Sequence, residues 1–103
     1  MASRAEIEAT LRHMAPQMPR HEFGAVADHA MAGGLRGAVP ETAVWLSMVA
    51  YARHVFTDYE DLLADGYDRE SARHFVLDDI NDRLALWGVK RRIAEDEDPD
   101  QAG

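Results

Sequence analysis

Apolar residues recur along this chain at intervals of three and four, the spacing of one face of an α-helix, and no strand pattern stands out. Ile7, Leu11 and Met14 lie at i, i+4 and i+7 behind Ser3-Arg4-Ala5-Glu6. That tetrad is a capping box: the serine side chain accepts from a first-turn N–H, and the glutamate reaches back. Pro16 ends this first helix, and Pro19 suits the opening of a second over roughly residues 20–31. Gly33-Gly34 offers a stop, because glycine takes the left-handed conformation that a helix end needs. After a linker over residues 35–39, Pro40 and Glu41 open a third helix to about Phe56. Val44, Trp45, Leu46, Met48, Val49, Tyr51, Ala52, Val55 and Phe56 make it apolar nearly all round. Such a helix is either central in a bundle or buried between subunits.

The stretch HVFTDYEDLLADGYDRESARHFV, residues 54–76, mixes charge with aromatic and aliphatic residues. Thr57 suits the N-cap of a short fourth helix, residues 58–64, with acids in its first turn as the helix dipole favours. Gly66 closes it, Asp68 caps a fifth helix over residues 69–87, and Gly88 ends that one. The expected core stripe of the fifth helix is Ala72, Phe75/Val76, Ile80, Leu84 and Trp87. Ser71, His74, Asp78 and Asn81/Asp82 are expected on the opposite, solvated face. The pattern as a whole predicts an all-α fold: a compact domain of four to five helices over residues 1–94, with the third and fifth in the core. A disordered acidic tail is expected over residues 95–103.

Length and charge refine this picture. A chain of 103 residues fits one domain with one core. It has no cysteine, so disulfides and thiolate metal sites are excluded, and a reducing cytoplasm is the expected location. The N-terminus lacks the apolar core of a secretory signal, and no apolar run approaches a membrane span. The net charge of −8 is unevenly spread. Residues 1–57 carry five acids and five arginines, whereas residues 58–87 carry nine acids and three arginines, net −6. Lys90-Arg91-Arg92 follows, ahead of five acids in the tail. A chain this acidic repels phosphate backbones, which disfavours nonspecific nucleic-acid binding.

The ordered set Arg53-His54, Thr57-Asp58-Tyr59, Leu62-Leu63, Gly66, Arg69 and Ala72-Arg73, ending in Leu84 and Trp87, resembles a bacterial and fungal domain of unknown function, family 2293. The resemblance spans roughly residues 23–87. Where that family carries a Gly/Arg-rich segment before its central helix, this chain has only Gly33-Gly34-Leu35-Arg36-Gly37. The family has no assigned activity, so the resemblance implies no chemistry.

Candidate sites come from the residues alone. Arg53, Arg69 and Arg73 are the cations nearest the fourth-to-fifth-helix corner; the last two sit one turn apart at a helix start, where anions are favoured. Internal pairing with the surrounding acids is the preferred reading of all three. His54, Asp58, Tyr59 and Tyr67 complete the candidate binding set. His74, Asp78 and Asp82 share a helix face, but i to i+8 spans about 12 Å, too far for one ion. With no HExxH and no other ligand spacing, neither a metal nor a cofactor is expected. No serine sits in a glycine elbow, and Ser47 is expected to be buried, bonded to a carbonyl one turn back, so catalysis is not favoured.

The favoured function is therefore a small non-enzymatic interaction or regulatory protein whose partner is another protein, itself as a homodimer, or both. Two alternatives remain. The corner over residues 58–76 is similar to a helix-turn-helix, with Arg69, Glu70, Arg73 and His74 placed to read bases, although Asp78, Asp79 and Asp82 oppose DNA. It also resembles ubiquitin-associated three-helix modules, in which a Gly-aromatic loop forms an apolar patch. The second alternative is an acidic, phage-type inhibitor that occupies a basic nucleic-acid groove.

Overall fold

The computed structural model of the protein describes residues 2–32, 35 and 37–97. It contains five helices: α1 (Arg4–Met14), α2 (Arg20–Ala30), α3 (Pro40–Phe56), α4 (Tyr59–Ala64) and α5 (Arg69–Leu86), and no strand among the described residues. The capping box at the start of α1 is complete: the Ser3 hydroxyl accepts from the Glu6 N–H, and the Ser3 N–H donates to Glu6 Oε1, both at 3.1 Å. Asp68 caps α5 by accepting the Ser71 N–H at 2.8 Å. The fourth cap differs by one residue. Asp58 is the N-cap of α4, and Thr57 ends α3. The Thr57 hydroxyl donates back to the Arg53 carbonyl and accepts the Tyr59 N–H at 3.2 Å, so one side chain joins the two helices.

Glycine closes α4 and α5 in the same way. Beyond α4, the Gly66 N–H donates to the Leu63 carbonyl and the Tyr67 N–H to the Leu62 carbonyl; beyond α5, Gly88 bonds Ala85 and Val89 bonds Leu84. These paired bonds form a Schellman motif, which needs positive φ at the glycine, and φ is 102° at Gly66 and 83° at Gly88. The predicted stop at Gly33-Gly34 lies outside the described residues, and α2 ends at Ala30 with Met31 as its C-cap.

α3 is the hub. It packs against α1, α2, α4 and α5, which accounts within a single chain for a helix that is apolar nearly all round. Val44, Trp45, Met48, Val49 and Ala52 are buried on it, beside Ile7 and Leu11 of α1, Val26 of α2, and Val76 and Leu84 of α5. Burial of side chains of this size contributes roughly 1.5–3 kcal/mol each. Ser47 is fully buried as expected, but the partner shown for its hydroxyl is His29 Nδ1 on α2, 2.9 Å away.

Two assignments on α5 are corrected. Its core stripe is Ala72, Val76, Ile80 and Leu84, a strict four-residue repeat that leaves Phe75 about 100° around the helix and 58% exposed. Asn81, expected in solvent, is buried. Its carboxamide holds both backbone groups of Ile93: Oδ1 accepts the Ile93 N–H at 2.8 Å, and Nδ2 donates to the Ile93 carbonyl at 3.1 Å. The chain beyond α5 thus forms a strap, anchored by buried Val89 and Ile93, with the Arg91 guanidinium 4.0 Å from the Trp45 ring centre. The first residues of the acidic tail close a turn: the Glu97 N–H bonds the Ala94 carbonyl, and the Glu97 carboxylate pairs with Arg91 at 3.1 Å. Residues 98–103 lie outside the described residues.

Candidate functional site

The predicted binding residues fall into two groups rather than one. The first sits where α3 passes into α4. Thr57 breaks the helix there, so the next turn folds back beneath Arg53. The Arg53 guanidinium lies 4.8 Å from the centre of the Tyr59 ring, and Tyr59 is buried. His54 pairs with Glu60 Oε1 at 2.9 Å, a surface interaction between two exposed side chains, and Asp58 is exposed at the N-cap. These contacts tie two helix ends together. A cation over an aromatic face contributes about 0.5–1 kcal/mol at such a site.

The second group surrounds the start of α5. Tyr67 leaves the α4 Schellman turn 47% exposed and meets exposed Phe75 edge-to-face, with ring centres 5.4 Å apart and planes at 80°. His74 touches the same ring at 6.1 Å. Arg69 is exposed and Arg73 half-buried, and both, like Arg53, are engaged with neighbouring groups. The hydrogen bonds from Ser71, its backbone N–H foremost, hold the Asp68 carboxyl below its ordinary value, and the charge of Arg73 adds to the effect. The charge of Arg73 thus acts on the carboxylate that caps its own helix.

Beside this group lies an open groove of about 390 Å³ between the first half of α5 and the turn at residues 93–97. Val49, Leu77 and Ile93 are its apolar lining, Phe75 flanks it, and Glu70, Glu95, Asp96 and Glu97 are its acidic lining, with Arg73 and His74 also at its walls. Sequence reasoning missed the groove because one wall belongs to the strap, whose position depends on the buried Asn81. The signal for the strap was Val89 and Ile93, two apolar residues inside a charged run.

A third cluster gives the aromatic end of the recognised pattern a structural role. Tyr51, Phe56 and Trp87 meet with ring centres 6.0–6.2 Å apart, and Arg83 stacks 3.8 Å from the Phe56 centre. The Trp87 Nε1–H donates to Glu22 of α2 at 2.8 Å. Among the described residues, no group of three or more His, Asp or Glu could hold a metal ion, and no helix is long and apolar enough to cross a membrane.

Comparison with known proteins agrees with the sequence resemblance and extends it. The profile of a family described as Uncharacterized conserved protein (DUF2293) matches residues 10–88, reaching back into α1 and ending at the glycine that closes α5. No curated protein and no solved structure matches the chain.

Proposed function

From the premise that the chain belongs to the family of uncharacterized conserved proteins DUF2293, we propose that it is a non-enzymatic protein-interaction module that docks a partner on the first half of α5. The observation that carries this reading is the exposed Tyr67–Phe75 pair beside the groove. The two adjacent rings form an exposed apolar patch, and aromatic residues are enriched at the energetic centres of interfaces. Catalysis has less support, since Ser47, the serine with a histidine partner, is sealed in the core. DNA reading also has less support: Arg69 and Arg73 are engaged, and acids border the surface that would face the duplex.

A photo-crosslinking residue placed at position 75, with position 39 as an exposed control, tests the reading in cells. A discrete protein adduct formed from position 75 and absent from position 39 is expected. Nucleic-acid adducts from position 75 would instead support the helix-turn-helix alternative. Adducts between copies of the chain, matched by dimers in sedimentation velocity, would assign the surface to self-association.

A further inference from the structure

We propose that the groove between α5 and the 93–97 turn receives a short segment of a partner protein that carries an arginine or lysine next to an apolar side chain. The proposal rests on the interaction reading and adds the chemistry of the partner. The groove offers two kinds of surface side by side. Half-buried Leu77 and the exposed ring of Phe75 give the apolar surface, over the buried side chains of Val49 and Ile93. Its volume of about 390 Å³ lies within the range of roughly 300–1,000 Å³ in which proteins seat buried ligand groups. Glu70, Glu95 and Asp96 are exposed around it, and Asp78 and Asp79 continue the negative charge along α5.

The acids stand on a built turn. Asn81 fixes Ile93 through both of its backbone groups, the Ala94 N–H donates to Glu97 Oε1 at 3.3 Å, and the Glu97 N–H returns to the Ala94 carbonyl at 3.0 Å. A cation arriving there does not have to order the loop first, which removes one of the main costs of binding. The positive side chains at the groove are outnumbered: Arg73 stands in a lining with Glu70, Glu95, Asp96 and the Arg91-paired Glu97, and the whole chain carries −8. Negative rim and apolar floor together select a basic side chain flanked by an apolar anchor, with the charge steering encounter and the anchor holding the complex. A phosphate backbone would meet the same acids and be repelled.

The test is selection of a random linear peptide library, displayed on phage, against the intact protein, followed by fluorescence titration of the selected peptides. The expected ligands share a basic residue adjacent to an aromatic or aliphatic one. Phe75→Ala and the pair Glu95→Gln/Asp96→Asn should each weaken them about tenfold or more, and added salt should weaken them further. Positions 95 and 96 are exposed, so that pair should melt as the wild type does, and Phe75→Ala should lose only its ring contacts with Tyr67 and His74 and still unfold cooperatively. Val39→Ala, at a distant exposed position, should bind as wild type does. Selected peptides that lack basic residues, or that ignore the rim substitutions, overturn the proposal but leave the interaction reading standing, since crosslinking from position 75 decides that reading separately. A wild-type dimer that Phe75→Ala dissolves overturns it in favour of a second copy as the occupant. Failure to select any ligand dependent on Phe75 also overturns it.

Discussion

Gly66 and Gly88 have the same backbone role, but their surroundings differ. A Cβ at Gly66 would meet nothing within 4 Å, whereas at Gly88 it would come within 3.2 Å of Pro16 Cγ and Cδ. Left-handed backbone costs an L-residue roughly 1–2 kcal/mol. Gly66→Ala should therefore lose about 1 kcal/mol and Gly88→Ala about 2 kcal/mol or more, read from urea midpoints at constant slope. Equal losses would mean that Pro16 yields at no cost. Both glycines were legible in the sequence, as were Ser3 and Asp68, because caps are decided within one turn of chain. Phe75 and Asn81 were not. Positions 75 and 76 compete for one stripe, and Val76 wins by its four-residue register with Ala72 and Ile80. An asparagine reads as a solvent residue until the backbone it binds is known, and that backbone lies twelve residues away.

At the scale of elements, the strap depends on that asparagine. Asn81→Leu keeps the bulk but leaves the Ile93 N–H and C=O buried without partners, which costs about 1–3 kcal/mol per group. Hydrogen exchange should show the Ile93 amide losing protection while the amides inside α3 keep theirs; unchanged exchange at Ile93 would remove the clamp from the account. The start of α5 depends on Asp68 in a different, pH-linked way. Hydrogen bonds from Ser71 lower its folded-state pKa beneath the ordinary 3.8. A depressed acid stabilises the fold above its unfolded value, and the contribution is lost as pH falls through the folded one. Asp68→Ala should therefore melt below wild type at neutral pH, and the gap should narrow only as pH drops beneath about 4. A gap constant down to pH 2 would contradict the assignment. Helix number and order were readable because each helix carries its own periodicity and stops. The groove was not, because it lies between an element and a segment with no periodicity.

For the whole molecule, the family match and the folded unit end at different places. The match stops at residue 88, yet Val89 and Ile93 belong to the core. A chain ended after Gly88 should lose roughly 3 kcal/mol or more, a large part of a typical domain's 5–15 kcal/mol. A chain ended after Ala94 should unfold cooperatively near the wild-type midpoint, which would place the domain boundary at residues 1–94. Comparable losses from both truncations would instead extend the unit to the Glu97 turn. The other long-range tie is the seam at the end of α5. The Trp87 indole reaches Glu22 across 65 residues of sequence, and the Gln17 N–H donates to the Trp87 carbonyl at 3.0 Å. Synthesis adds roughly 5–20 residues per second from the N-terminus, so α1, α2 and α3 are made seconds before the tryptophan that joins them to α5. During that interval the nascent chain presents the α3 surface that α5 and the strap later cover, Val49 among it. Each newly made copy therefore passes through a stage in which the apolar side of α3 lacks its final cover and is open to association with other chains.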